Sequence, residues 1–431
     1  MTDRGRALKV LGEVCDKKLF LKEALNNIYD KNTPEDPSYL WRVTKGVVER
    51  MIELDTRIDV VSSTRSGRMH PALRNALRLG AYEIIYMDSI PARATIHECV
   101  ELVKKSPASR ASGMANAVLR RISDTPAPDI LTKDAHDAKS ISAKYSLPIW
   151  LCDLWISRYG IDWTKGVAAA FLEEHPLTIR VNTLKTSRDR LLGLFEDSGI
   201  KTVKHPLSEH AILLLQKSSV TSLPGYSNGL FYVQDIGSIS VCEMAGIKPQ
   251  DKVLDLCAAP GGKSLFAAEL ASAKGSVYAL DISEKRIERL KENIRKGDHK
   301  NVKTGVFDAT RYNDEFSQKY DVVLADVPCS GLGVTGRKPE IKYRVNRDEI
   351  NTLAGIQKKI LNNACGYVKP GGKLVYSTCT LSFAENEGQI RDFISADNRW
   401  TVTKEKLFVP GKEQYNSDGF YICVMHQKAK I

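Results

Sequence analysis

Asp255-Leu256-Cys257-Ala258-Ala259-Pro260-Gly261-Gly262-Lys263 joins a short apolar run, Lys252 to Leu256, to a segment with apolar residues at helical spacing, Ser264 to Leu270. The nonapeptide therefore reads as a tight strand-to-helix turn. Such turns stand at the ligand edge of an α/β sheet. Small side chains and paired glycines let a ligand approach the backbone, and the helix N-terminus behind them offers unpaired N–H groups to polar or anionic atoms. The turn lacks the dinucleotide pattern G-x-G-x-x-G and the spacing of a P-loop, and the expected ligand is a nucleoside.

From Ile236 onward strands alternate with helices, the pattern of a parallel, doubly wound sheet whose function collects at the strand carboxyl ends. The strand Ser276 to Leu280 ends at Asp281, placed to accept both ribose hydroxyls. Another ends near Phe307-Asp308, whose carboxylate or adjoining backbone is placed to meet an adenine edge. A lone acid at a strand end is usually a helix N-cap, but two at these positions favour binding. Tyr320 to Ala325 runs into Asp326-Val327-Pro328-Cys329-Ser330-Gly331, and Lys373 to Tyr376 into Ser377-Thr378-Cys379-Thr380. Neighbouring strands thus present one cysteine each to a single cleft. Either cysteine alone reads as an inert core residue; the pair, with an acid beside one of them, calls for chemistry. Ala384-Glu385-Asn386-Glu387 reads as a helix start without chemistry, and Gly419 to His426 as a strand completing the sheet.

The nonapeptide resembles the S-adenosylmethionine (SAM) loop of the RNA 5-methylcytosine methyltransferases. The strings around Cys329 and Cys379 match two further motifs of that family, and Gly333 to Arg344, with Arg337, Lys338, Lys342 and Arg344, matches its intervening basic segment. Ser264, where Thr is common, is a minor departure. The resemblance implies SAM as methyl donor, held by Cys257, Ala258, Ala259, Pro260, Gly261, Gly262, Lys263, Asp281, Asp308 and Asp326, with no metal. It assigns the nucleophile to Cys379, contact with the pyrimidine edge to Asp326, loss of the carbon 5 proton and adduct breakdown to Cys329, and orientation of the cleft to Lys263. A thiol is needed because carbon 5 of cytosine accepts a methyl group only after attack at carbon 6 has made the ring an enamine, and a thiolate can both attack and leave. The target base must be unpaired or flipped out. In DNA cytosine methyltransferases the nucleophile follows a proline, as Cys329 does here, so the residues alone present the two cysteines as near equals.

Residues 4–122 carry helical stripes, such as Ala7, Leu8, Leu11, Val14 and Cys15, and then Leu73, Leu77, Ala81, Ile84 and Ile85, so an all-α bundle is expected. His70 to Glu83, Ile90-Pro91-Ala92, the Glu98 to Lys105 segment and Asn116 to Arg121 together resemble the NusB-type RNA-binding domain; a helical spacer is the alternative. Arg4, Arg6, Lys9, Lys17 and Lys18 are candidates for an RNA-facing patch. Pro126 and Pro128 mark a linker. Beyond it, a helix-strand alternation with Thr178 to Asn182, Lys201 to Val203, Ala211 to Leu215 and Leu230 to Val233 as strands predicts a small α+β domain of ferredoxin or RRM type. Arg180 there is read equally as an RNA contact or a structural residue. The expected division is a NusB-like bundle over 1–125, a linker over 126–140, the α+β domain over 141–235 and a Rossmann-like, class I SAM-dependent catalytic domain over 236–431.

The net charge is +11, with excesses of +5 in residues 1–150 and +6 in 236–431 and a neutral middle, which suits a polyanion gripped at two places. No apolar run is long enough for a membrane span, the N-terminus is not signal-like, and the nine cysteines form no C-x-x-C pair, so a cytoplasmic protein with reduced thiols and no zinc site is expected. Taken over the whole chain, the three parts resemble the bacterial 16S ribosomal RNA cytosine-5 methyltransferases of the RsmB (Sun) type. That likeness implies a monomer acting on 16S ribosomal RNA, naked or early in assembly, without a membrane partner. Transfer RNA as substrate, and a non-catalytic RNA-binding assembly factor, are the rival readings; intact Cys329, Cys379 and Asp326 speak against the second.

Overall fold

The computed structural model describes residues 2–29, 34–174, 176–216, 219–412, 415 and 417–427. Two compact units are formed, one from residues 1–173 with 335–344, the other from 174–334 with 345–431.

The first unit is helical because its apolar residues recur every three to four positions. Ala7, Val10, Leu11, Val43, Val47, Leu73, Leu77, Cys99 and Leu119 meet in one core. Start signals are explicit: the Asp36 carboxylate accepts from the Ser38 and Tyr39 N–H groups, and Pro37 and Pro71 open the helices Pro37–Glu49 and Pro71–Tyr86. Two arginines of the candidate patch are committed internally. Arg4 pairs with the fully buried Glu83 at 2.9 Å, and Arg6 with Asp3 at 2.6 Å, leaving Lys9, Lys17 and Lys18 exposed. The span expected as a linker holds the short helix Asp129–Thr132, and Asp137 caps the next, Ala138–Tyr145, in a capping box with Ser140.

Residues 335–344 add a strap to this unit. Glu340 accepts from the Leu21 N–H (3.1 Å), Lys342 Nζ donates to the Glu49 carbonyl (2.8 Å), and the Arg344 guanidinium lies 4.1 Å from the Phe20 ring. Lys342 is 2% exposed, so this lysine of the basic segment is a core residue. Burial pushes its pKa down to about 7, only partly offset by the Glu49 charge. The unfolded chain keeps this amine protonated up to about pH 10.4, so between pH 7 and 9 the unfolded state binds more protons and stability rises with pH, by about 2 kcal/mol from this group. Lys342→Met is therefore expected to stabilise the protein more at pH 7 than at pH 9, as read from urea midpoints; an equal effect at both values would mean that the amine is not buried neutral.

In the second unit β1 (Leu177–Val181), β2 (Thr202–Lys204), β3 (Ala211–Leu214) and β4 (Phe231–Val233) form an antiparallel sheet in the order β2-β3-β1-β4. The helix Arg188–Asp197 packs Leu191 and Phe195 on its apolar face. A second sheet contains β5 (Lys252–Asp255), β6 (Ser276–Asp281), β7 (Val302–Val306), β8 (Tyr320–Asp326), β9 (Val368–Thr378), β10 (Trp400–Phe408) and β11 (Phe420–Gln427) in the order β10-β11-β9-β8-β5-β6-β7. Strands β5 to β9 pair in parallel; β11 and β10 complete the edge antiparallel. Their buried runs, such as Val322 to Ala325 and Leu374 to Tyr376, are sealed on both faces. No helix among the described residues is long and apolar enough to cross a membrane.

Candidate active site

The order of the parallel strands puts the carboxyl ends of β5, β6, β8 and β9 side by side, and the conspicuous sequence strings sit there. After β5 the Leu256 and Ala258 N–H groups bond to the Leu324 and Leu280 carbonyls at 3.0 and 2.7 Å, which ties the turn to both neighbouring strands. Gly261 has φ +113°, and a Cβ there would stand 2.3 Å from Leu290 Cδ1, so backbone conformation and space both require glycine. Gly261 caps the helix Gly262–Ala271 without a side-chain hydrogen bond, leaving its first N–H groups to a ligand.

Asp255, 1% exposed, accepts from Ser264 Oγ at 2.6 Å, and its other oxygen has no side-chain or backbone partner among the described atoms. Burial raises its pKa to about 6, against the lowering effect of Ser264. At the end of β6, Asp281 accepts from Ala259 N (3.2 Å), Ser283 N (3.0 Å) and the Arg286 guanidinium (3.1 Å). Asp308 accepts from Thr310 N and Oγ1 at 3.0 and 2.6 Å, and these bonds lower its pKa. Its carboxylate is thus engaged as a turn cap, which leaves the adjoining backbone as the freer of the two contacts expected here.

Across from the turn, Lys263 Nζ donates to Asp326 Oδ2 at 2.7 Å and Ser377 Oγ to Asp326 Oδ1 at 2.8 Å. Burial opposes the Lys263 charge, but the Asp326 carboxylate more than offsets it, so Lys263 titrates above its ordinary range and stays an ammonium. Cys329 and Cys379 face each other with sulfurs 3.3 Å apart. The hydrogen bond to Cys379, then burial, push the Cys329 thiol well above its ordinary range, and the two thiols titrate as a pair. Gly333 N donates to the Cys379 carbonyl (3.0 Å) while the Gly333 carbonyl accepts from Gly419 N (2.8 Å), a close approach that leaves no room for a Cβ.

The sequence strings brought together here match known families. The model of the 16S rRNA methyltransferase RsmB/F family covers residues 244–428, that of the NusB family 1–124, and that of the RsmF/B-like ferredoxin-like domain 147–221. Over 99% of its length, and 98% of the relative's, the chain is 32% identical to the probable ribosomal RNA small subunit methyltransferase B of Bacillus subtilis. The chain belongs to the ribosomal RNA small subunit methyltransferase B family. It is 31% identical, over 99% of its length and 98% of the relative's, to the family member of Proteus mirabilis. A solved protein designated PH0851 shares the fold over 99% of both chains, with a TM-score of 0.80 at 24% identity. The architecture is accordingly a NusB-like helical domain, a ferredoxin-like domain and a Rossmann-like SAM-dependent methyltransferase domain.

Two features of this family member escape a reading of the sequence. Ile282, next to Asp281, is 66% exposed, an apolar face beside that carboxylate; its only signal was its place after a strand-end acid. Glu385 and Asn386 are fully buried behind the cysteines, and nothing in the chain near them announces it.

Proposed function

We propose that this protein transfers the methyl group of SAM to carbon 5 of a cytosine in 16S ribosomal RNA through a covalent adduct of Cys379 at carbon 6. The observation that carries this reading is the pair of sulfurs 3.3 Å apart beside the Lys263–Asp326 ion pair, at strand ends adjoining the glycine turn. That the relatives of Bacillus subtilis and Proteus mirabilis are named as ribosomal RNA methyltransferases supports ribosomal RNA as substrate.

The cradle fits SAM. The glycine turn admits close backbone approach, the uncapped helix N-terminus offers N–H donors to the methionine carboxylate, and Ile282 offers an apolar face to the adenine. SAM supplies an electrophilic methyl group. Ribose hydroxyls would replace the Arg286 donors on Asp281, and the backbone near Asp308 would meet the adenine edge. Asp326, steadied by Lys263 and Ser377, holds the pyrimidine edge while the Cys379 thiolate attacks carbon 6. Once Cys379 is a thioether, its hydrogen bond no longer holds the proton on Cys329; with that proton released to solvent, the Cys329 thiolate can take the proton leaving carbon 5 after the methyl group has been transferred there. The bond to carbon 6 then breaks and the Cys379 thiolate is restored. We assign RNA gripping to residues 1–125, the pre-catalytic domain to 141–235 and catalysis to 236–431.

Incubation with labelled SAM and naked small-subunit RNA, assembled subunits or transfer RNA, followed by bisulfite mapping, tests the proposal. The expected result is one protected cytosine in small-subunit RNA; label confined to transfer RNA, or absent from cytosine, overturns it. Asp281→Ala is expected to weaken SAM binding at least tenfold by calorimetry, about 1.4 kcal/mol, because a charge-assisted bidentate contact is worth that or more. Unchanged affinity would remove Asp281 from the site.

A further inference from the structure

The loops that carry Cys329 and Cys379 are joined by a carboxylate that does not face the cleft. Glu385, 0% exposed, accepts at Oε1 from Ser330 N (2.8 Å) and Gln357 Nε2 (3.0 Å), and at Oε2 from Ser330 Oγ (2.5 Å). Thr380 Oγ1 lies 2.7 Å from Ser330 Oγ and 3.4 Å from Glu385 Oε2. Since the Ser330 proton points to the carboxylate, Thr380 donates to Ser330, giving a chain Thr380 to Ser330 to Glu385. Ser330 follows Cys329 and Thr380 follows Cys379, so this chain ties the residues next to both thiols. Asn386 closes the other side: its Oδ1 accepts from Thr378 Oγ1, and its Nδ2 donates to the Thr380 carbonyl at 2.9 Å. Cys379 is thereby held at both flanks. Surrounded by donors, Glu385 serves as an acceptor at both oxygens, and its charge adds to the causes that keep Cys329 protonated.

We propose that Glu385 is a positioning residue for the two-cysteine reaction: it locks the Cys329 and Cys379 loops together so that both thiols address the same pyrimidine ring. This rests on the carbon 6 adduct reading. A carboxamide at this position would turn an N–H toward donors that now point at oxygen, so the loops must part. Displacement of reacting groups by about 1 Å costs on the order of 100-fold.

The experiment uses the full-length protein with small-subunit RNA and compares wild type, Glu385→Gln, Ser330→Ala, Cys329→Ala and Cys329→Ala/Glu385→Gln. For Glu385→Gln we expect kcat to fall about 100-fold, KM for SAM to stay within twofold of wild type, and the pH at which adducts resolve to move lower because a charge near Cys329 is gone. Ser330→Ala, which keeps the carboxylate and removes one link, is expected to fall between the two. On denaturing gels the double variant should form adduct at least tenfold more slowly than Cys329→Ala. Wild-type kcat in Glu385→Gln, or a loss of SAM affinity parallel to the loss of kcat, overturns the proposal. If Glu385→Gln does not fold, Ser330→Ala decides by the same criteria. If Cys329→Ala itself yields no adduct, the adduct reading falls, and the positioning role is judged on kcat at constant SAM KM.

Discussion

Cys379→Ala is expected to lower methyl transfer by more than about 10³-fold and to leave no RNA complex on a denaturing gel. Cys329→Ala should instead attack and methylate but resolve its adduct poorly, so that protein crosslinked to RNA accumulates. The distinction is between bond formation, which needs a thiolate at carbon 6, and elimination, which needs a proton acceptor near carbon 5. The 3.3 Å approach of the sulfurs makes the thiols chemically interdependent, so a variant of either one tests both roles. Crosslinked RNA in Cys379→Ala and none in Cys329→Ala would reverse the assignment, in agreement with the Pro-Cys pattern of the DNA enzymes.

What could be read along the chain follows from what each element buries. The parallel strands β5, β6, β8 and β9 are sealed on both faces, so they show as short apolar runs that end in the site strings. The edge strand β10 escapes such a reading because Val402 to Glu405 face solvent and its letters mimic a polar loop. Charged letters mislead in the opposite way. Lys342 in the basic segment, and Arg4 and Arg6 in the candidate patch, look like solvated surface until their long-range partners Glu49 and Glu83, and the nearby Asp3, are in place. The buried pair Glu385-Asn386 is silent for the same reason: Ser330 lies 55 positions away from Glu385, and no local period encodes that contact. Motif strings thus reveal which residues share the cleft, while the groups that hold them there emerge only from the fold.

Arg180 carries the largest expected stability effect. The sequence leaves it between an RNA contact and a structural residue, and the fold buries it completely: Nη1 pairs with Glu269 at 2.7 Å, Nε donates to Gln234 Oε1 at 2.8 Å, and the guanidinium lies 4.5 Å from the Phe266 ring. Strand β1 of the small sheet is thereby joined to the helix Gly262–Ala271 that begins at the glycine turn. Glu269 also accepts from Thr183 N (3.0 Å) and lies 3.0 Å from His299 Nε2. Burial works against its charge, yet Arg180 and then His299 outweigh that and hold its pKa below the ordinary value. Arg180→Met preserves bulk but strands a buried carboxylate, a change that costs about 3–5 kcal/mol. In the wild type this lowered pKa contributes stability above the unfolded Glu value, lost as pH falls through the folded one. In the variant desolvation prevails and raises the Glu269 pKa, so the deficit relative to wild type should shrink as pH falls from 7 towards 5. Urea unfolding at those two values tests this. A variant as stable as wild type but with weakened RNA binding would return Arg180 to the RNA surface; a large deficit that narrows in mild acid would place its work in joining the small sheet to the helix behind the glycine turn.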